Sequence, residues 1–184
     1  MINSAHDLFM ANKNLAKRSP EGHLRTNNNE ETIKHMKDLS DFSHIEISSA
    51  KPFRFGIITA QWHSDVTNAL YESAYDRLKK HGALDEHIVK IPVPGSYELT
   101  SGANMLLELG QVDVVICLGC VILGETRHFD FICDAVANGL SNVSIKHNKP
   151  VIFGVLTTNN LQQALDRSGG THGNKGEEAA IAAI

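Results

Sequence analysis

The chain has 184 residues, 42% of them hydrophobic and 21% charged, with a formal net charge of −4. That length suits one domain with a sizeable core, and the mild acidity offers no basic footprint for nucleic acid. No apolar run nears the roughly 20 residues of a membrane span; the longest, Val112 to Leu123, is broken by Asp113 and Gly119.

Residues 1–50 are rich in Asn, His, Ser, Lys and Glu and show little apolar periodicity, so they read as a polar, disordered extension. It is either a docking arm or a solvated tail. Near its end, His44-Ile45-Glu46-Ile47-Ser48 alternates and suits an edge strand, including one added to a neighbouring subunit. No basic region followed by a continuous apolar stretch opens the chain, so no secretory leader is expected. The odd count of three cysteines (Cys117, Cys120 and Cys133) gives no disulfide framework and fits a reducing cytoplasm.

Regular patterning begins at Phe53, which sets a folded domain over residues 51–184. Phe55 to Ala60 reads as a buried strand. Ser64 or Asp65 can cap a helix with Val66, Leu70, Ala74 and Leu78 on its apolar face and Gly82 as its stop. A second strand spans Ile88 to Val93 and turns at Pro94-Gly95; a second helix spans Leu99 to Leu109. Val112 to Leu118 is a third strand, within an apolar run that ends at a Gly-bounded turn at Gly124, and Phe129 to Ile145 a long helix. Pro150 to Leu156 is a fourth strand, Asn160 to Arg167 a short helix, and Ser168-Gly169-Gly170 a flexible turn. A last helix begins near Gly176. Strands alternating with helices predict a single doubly wound α/β domain, its parallel four-stranded sheet flanked by helices on both faces.

Cys117-x-x-Cys120 raises the question of zinc, with His128 and Cys133 close by. An odd spacing on a strand sends the two thiols to opposite faces, and no second pair follows. No metal site is expected.

Ligands of such sheets bind beyond the carboxyl ends of the strands. Four loops gather there, and each carries groups a core does not need. Trp62, the only tryptophan, suits stacking on a planar heterocycle or plugging the sheet edge. Ser96, Tyr97 and Glu98 follow the second strand; Glu98 can accept from hydroxyl groups or complement a helix dipole. Gly124-Glu125-Thr126 offers backbone N–H groups and a hydroxyl to phosphate, with the Glu125 side chain turned away. Arg167 suits a bidentate phosphate clamp or the end of a helix dipole. His128 is either a surface residue at a helix start or a proton carrier, since imidazole titrates near neutral pH.

Several collinear motifs then point to a known family. They are Val93-Pro94-Gly95-Ser96-Tyr97-Glu98, Gly119-Cys120-Val121-Ile122-Leu123-Gly124-Glu125-Thr126-Arg127-His128-Phe129-Asp130, Pro150 to Thr158, Gln163 to Arg167, and Gly173-Asn174-Lys175-Gly176. From about Phe55 to Ile184 the chain resembles lumazine synthases, enzymes of riboflavin biosynthesis with a flavodoxin-like three-layer fold. The resemblance implies condensation of 5-amino-6-(D-ribitylamino)uracil with 3,4-dihydroxy-2-butanone 4-phosphate, without a metal or redox cofactor. It implies that Trp62 stacks on the pyrimidine, that Ser96, Tyr97 and Glu98 surround ribityl chain and ring, and that Cys120, Val121 and Ile122 line the heterocycle pocket. Glu125 and Thr126 present main-chain donors to phosphate, and His128 transfers protons. Phe153 and Arg167 come from the adjacent subunit, with Lys175 adding positive potential.

The resemblance further implies a homo-oligomer: a pentamer, a decamer or a sixty-subunit icosahedral shell. The turn from Arg167 to Gly176 lacks the insertion that marks members stopping at pentamers. Trp62 stands where the family commonly has Phe, and its larger face favours riboflavin as an additional ligand. Arg127 replaces a small polar residue and would oppose protonation of His128 if their charged ends met. Two rivals remain: a non-catalytic lumazine- or riboflavin-binding cage, which His128 and Arg167 argue against, and a nucleotide-binding module, which lacks G-x-G-x-x-G after the first strand.

Overall fold

The computed structural model describes residue 42 and residues 46–184. The extension expected over residues 1–50 lies mostly outside them, as do His44 and Ile45 of the anticipated edge strand; Glu46 to Ser48 form no strand. Ala50 is fully buried, and its N–H donates to the His81 carbonyl at 2.9 Å.

Four strands form one parallel sheet: β1 (Phe55–Ala60), β2 (Ile88–Val93), β3 (Val114–Ile122) and β4 (Val151–Thr158), in the order β2-β1-β3-β4. The helices α1 (Ser64–Lys80), α2 (Leu99–Glu108) and α3 (His128–His147) connect them. A short α4 (Leu161–Asp166), a small antiparallel hairpin of β5 (Ser168–Gly170) and β6 (Gly173–Asn174), and α5 (Lys175–Ala183) complete the chain. This is the expected doubly wound α/β fold.

Side chains of β3 alternate between two cores. Val114, Ile116, Leu118 and Cys120 pack with Leu70, Ala74 and Leu78 of α1 and with Ala179 and Ala180 of α5. Val115 and Cys117 pack with Leu99, Ala103 and Leu106 of α2 and with Val136 and Leu140 of α3. Cys117 and Cys120 therefore belong to opposite faces, as their odd spacing requires.

The third strand runs four residues past its expected end at Leu118. Pairing with β4 continues through Gly119↔Val155 to Ile122↔Thr158. Gly119 is a strand residue here because Ser96 and Leu99 pack against its bare Cα, where a Cβ would lie 2.6 Å from Ser96 Oγ. At the other end of the chain, the expected flexible turn after Arg167 is the β5–β6 hairpin. Its Asn174 accepts from the Gly176 N–H at 2.8 Å, capping α5, and donates to the Ala69 carbonyl of α1 at 3.3 Å.

Gly176 is pressed against α1, where an added Cβ would overlap the Leu70 carbonyl. Backbone cannot give way as a side-chain tip can. Gly176→Ala is expected to cost about 1–3 kcal/mol and to lower the thermal midpoint by roughly 5 °C. An unchanged midpoint in a thermal melt would refute this contact.

Candidate active site

The sheet order places β1 and β3 side by side while their following connections leave in opposite directions, α1 toward β2 and α3 toward β4. Such a divergence opens a crevice at the carboxyl ends of the strands. A cavity of about 640 Å³ lies there. Trp62 and His63 reach it from the loop after β1, and Pro94 to Glu98 from the loop after β2. Cys120, Val121 and Ile122 of β3 supply an apolar wall, and His128 and Ile132 enter from the first turns of α3.

Local interactions explain how these groups are held. Glu98 precedes α2, and its Oε2 accepts from the Gly95 N–H at 2.9 Å, which fixes the Pro94-Gly95 turn. Ser96 is buried, yet its hydroxyl has no hydrogen-bond partner within the protein. A buried hydroxyl in that state is poised to accept a ligand's polar atom. Trp62 is 71% exposed and Tyr97 58% exposed, so two large rings stand open around the cavity.

His128 is the first residue of α3 and is exposed; its backbone N–H donates to Thr126 Oγ1 at 3.4 Å. Arg127 is turned the other way along the helix. Its Nε lies 3.3 Å from Asp130 Oδ2, and its guanidinium stands over the Phe131 ring at 5.8 Å. Burial pushes the Cys120 thiol up to about 11 and the Cys117 thiol higher still, so neither is a nucleophile at neutral pH.

Eight of the residues singled out from sequence thus meet in one cavity: Trp62, Ser96, Tyr97, Glu98, Cys120, Val121, Ile122 and His128. Five others lie outside its lining. Glu125 and Thr126 are exposed on the loop before α3. Phe153 is level with Cys117, five residues below the strand end, and packs on the α2–α3 core. Arg167 and Lys175 form a separate group. Arg167 Nη2 donates to Glu178 Oε1 at 2.6 Å, its Nη1 to the His172 carbonyl at 2.5 Å, and Lys175 Nζ to Glu178 Oε2 at 3.0 Å.

Two participants carry no role in the sequence reading. Glu178 is the anchor of both cations, and its only early sign is the i,i+3 spacing from Lys175. His63 lines the cavity beside Trp62; its loop, Gln61-Trp62-His63, is one of the four at the strand ends, but the histidine itself carries no role there.

Fold and cavity define a doubly wound α/β protein with an open cavity at the switch between β1 and β3. Comparison with known proteins narrows this. The 6,7-dimethyl-8-ribityllumazine synthase family matches residues 52–184. The chain is 55% identical to the Cytophaga hutchinsonii protein of that name over 148 residues, covering 80% of this chain and 92% of that protein. It is 49% identical to the Flavobacterium johnsoniae protein, covering 80% of this chain and 78% of that one, and 46% identical to the Phocaeicola vulgatus protein, covering 80% and 88%; both bear the same name. The chain belongs to the 6,7-dimethyl-8-ribityllumazine synthase family. Among the described residues no helix is long and apolar enough to cross a membrane.

The cation pair around Glu178 sets a pH signature. Burial alone would raise the Glu178 pKa, but the hydrogen bonds and charges of Lys175 and Arg167 outweigh it and hold the carboxyl below its ordinary value. A depressed folded-state pKa stabilises the fold above the unfolded value and loses that contribution as pH falls through the folded value. Glu178→Gln is therefore expected to cost about 1 kcal/mol at pH 7. The gap from the parent should close below roughly pH 4, as read by denaturant unfolding at the two pH values. A gap that persists at low pH would contradict the ion-pair account.

Proposed function

We propose that this chain is a transferase that condenses 5-amino-6-(D-ribitylamino)uracil with 3,4-dihydroxy-2-butanone 4-phosphate to give 6,7-dimethyl-8-ribityllumazine, phosphate and water. One observation carries the reading: Trp62, the Ser96–Glu98 turn and His128, from three different strand ends, converge on one cavity large enough for a bicyclic ring and its side chain.

In this reading Trp62 covers the face of the pyrimidine, and Ser96, Tyr97 and Glu98 meet the ribityl hydroxyls and ring. Cys120, Val121 and Ile122 form the dry side of the pocket. The uracil amine attacks the ketone carbon, and the carbinolamine loses water to give an imine. Loss of a proton from the sugar-derived chain then expels phosphate, and the remaining nitrogen closes the ring with loss of a second water. No step changes the redox balance, so the reaction calls for no redox cofactor, and proton transfers suit the imidazole of His128. Much of the acceleration comes from holding two substrates together.

The phosphate is held by main-chain N–H groups at Glu125 and Thr126 and by Arg167, with Lys175 reinforcing the potential. Arg167 and Lys175 lie outside the cavity of their own chain, which favours delivery, together with Phe153, from a neighbouring subunit. The proposed active form is therefore a homo-oligomer built from pentamers, as a pentamer, decamer or sixty-subunit shell, in the cytoplasm. Residues 51–184 form the catalytic domain and residues 1–50 an extension to it.

His128→Ala is expected to lower turnover by about ten- to a hundredfold without abolishing it, since proximity survives the change. Steady-state assay of the fluorescent product measures this; complete loss in a folded, assembled variant would oppose it. Trp62 also suits the larger isoalloxazine face. Riboflavin is expected to quench its emission on titration, and a flat titration would remove riboflavin from the ligands of this site.

A further inference from the structure

The buried Ser96 hydroxyl that lacks a hydrogen-bond partner is accounted for by the cavity it lines. Nε2 of His81 is buried and unpartnered as well, and it lies at the other end of the sheet. His81 directly follows the last turn of α1. Its carbonyl accepts from the Ala50 N–H at 2.9 Å, and the Ala50 carbonyl accepts from the Phe53 N–H at 3.1 Å. Ala50 is fully buried and belongs to the core beneath α1, with Leu78 and Ala83. Ser49 and Lys51, on either side of it, stand beside Gly82, where an added Cβ would touch both. The end of one helix therefore holds the amino-terminal segment against the domain.

The imidazole at that helix end is in an unusual setting. A cation there is ordinarily favoured by the helix dipole. Burial, and then the charges of Arg77 and Lys80, instead hold the His81 pKa below its ordinary value of 6.5. The neighbouring carboxylates are engaged elsewhere or face water. Glu177 pairs with Arg77, and Asp85 accepts from Tyr75 Oη and from Lys79 Nζ, the latter at 2.9 Å; Glu86 is exposed. Lys51 brings a further positive charge from the segment itself. A neutral imidazole has one N–H and one lone pair, but when protonated both of its nitrogens are donors. At Nε2 the added charge and donor would be buried with no acceptor, a state that folded chains avoid by opening to water.

We propose that His81 is an acid-sensitive latch for the amino-terminal segment: proton uptake at the buried Nε2 loosens the end of α1, withdraws the carbonyl that holds Ala50, and frees the segment around Ala50 while the sheet stays folded. Released, the imidazole titrates near 6.5; docked, it titrates lower. Docking is therefore complete above about pH 6.5 and is lost progressively as pH falls from there toward the docked value. Between pH 7.5 and 5.5 it weakens by about three- to tenfold. The latch uses no residue of the cavity, so it stands apart from the synthase reading.

Hydrogen exchange of the full-length protein, followed by mass spectrometry on peptides spanning residues 46–53, reads the latch directly. With times scaled for the intrinsic exchange rate and β3 amides as the internal standard, protection of this segment should fall by that factor between pH 7.5 and 5.5. His81→Gln keeps the carbonyl but cannot take up the proton, and its segment should be equally protected at both pH values. His87→Gln, at the neighbouring imidazole whose Nδ1 is also buried and unpartnered, should respond as the parent does. A parent with constant protection would overturn the proposal, as would a response that survives in His81→Gln or vanishes in His87→Gln. Linkage supplies a second measurement that does not need the His81 variant to dock. Ala50→Gln, too large for the buried site, undocks the segment, and an NMR titration of labelled histidines should then find His81 returned to its ordinary value. A His81 titration identical to the parent's in that variant would also refute the latch.

Discussion

Strand β3 is buried on both faces and hydrogen-bonded along both edges, and the rest of the molecule is arranged around that condition. Its side chains feed one core on the α1–α5 side and another on the α2–α3 side, in strict alternation. Each fully buried aliphatic side chain stabilises the fold by about 1.5–3 kcal/mol, so slipping the strand by one residue would exchange its entire set between cores. With β3 fixed, β1 and β4 are in register beside it, and the connections after β1 and β3 must part. The cavity is the space that parting leaves.

This explains which features were legible in the sequence. Double burial writes itself as continuous apolar runs, so all four strands of the sheet could be read, as could the helices that cover them. What escaped was governed by contacts distant in sequence. Gly119 interrupts the apolar run of β3, since glycine weakens strands, and only the approach of Ser96 and Leu99 shows why it belongs inside one. The hairpin after Arg167 was hidden for a related reason. Two adjacent glycines suggest freedom, whereas the order comes from Asn174 bridging α1 and α5.

The site was legible in proportion to how much of it comes from strand ends. Trp62, Glu98 and His128 sit where a parallel sheet puts its ligands, so their type and position were informative together. Arg167 and Lys175 carry the same chemistry but lie on the far connection, joined to Glu178 instead of to the cavity. Glu178 holds their charges at a fixed place and partly neutralises them. A cation pair so restrained has little reach, so any phosphate it served would have to come to it. In the proposed reaction that requirement falls on a second subunit, and assembly becomes a condition of catalysis.

His63 shows a different limit of sequence reading. Residue type and spacing describe which groups are near one another along the chain, but a single backbone angle decides whether neighbours share a side. A sheet-end loop in extended conformation would commit Trp62 to the cavity and His63 to solvent. The left-handed turn at His63, with φ at 58°, brings both to the cavity, and three hydrogen bonds to the His63 carbonyl make that turn affordable in the folded state. The same bonds start α1, whose burial against β1 and β3 closes one core. The cavity lining and the packing of α1 therefore share one residue, so a change that relaxes the turn by shifting the carbonyl would act on both. Substitutions that keep the carbonyl where it is separate the two roles, because only the side chain then differs.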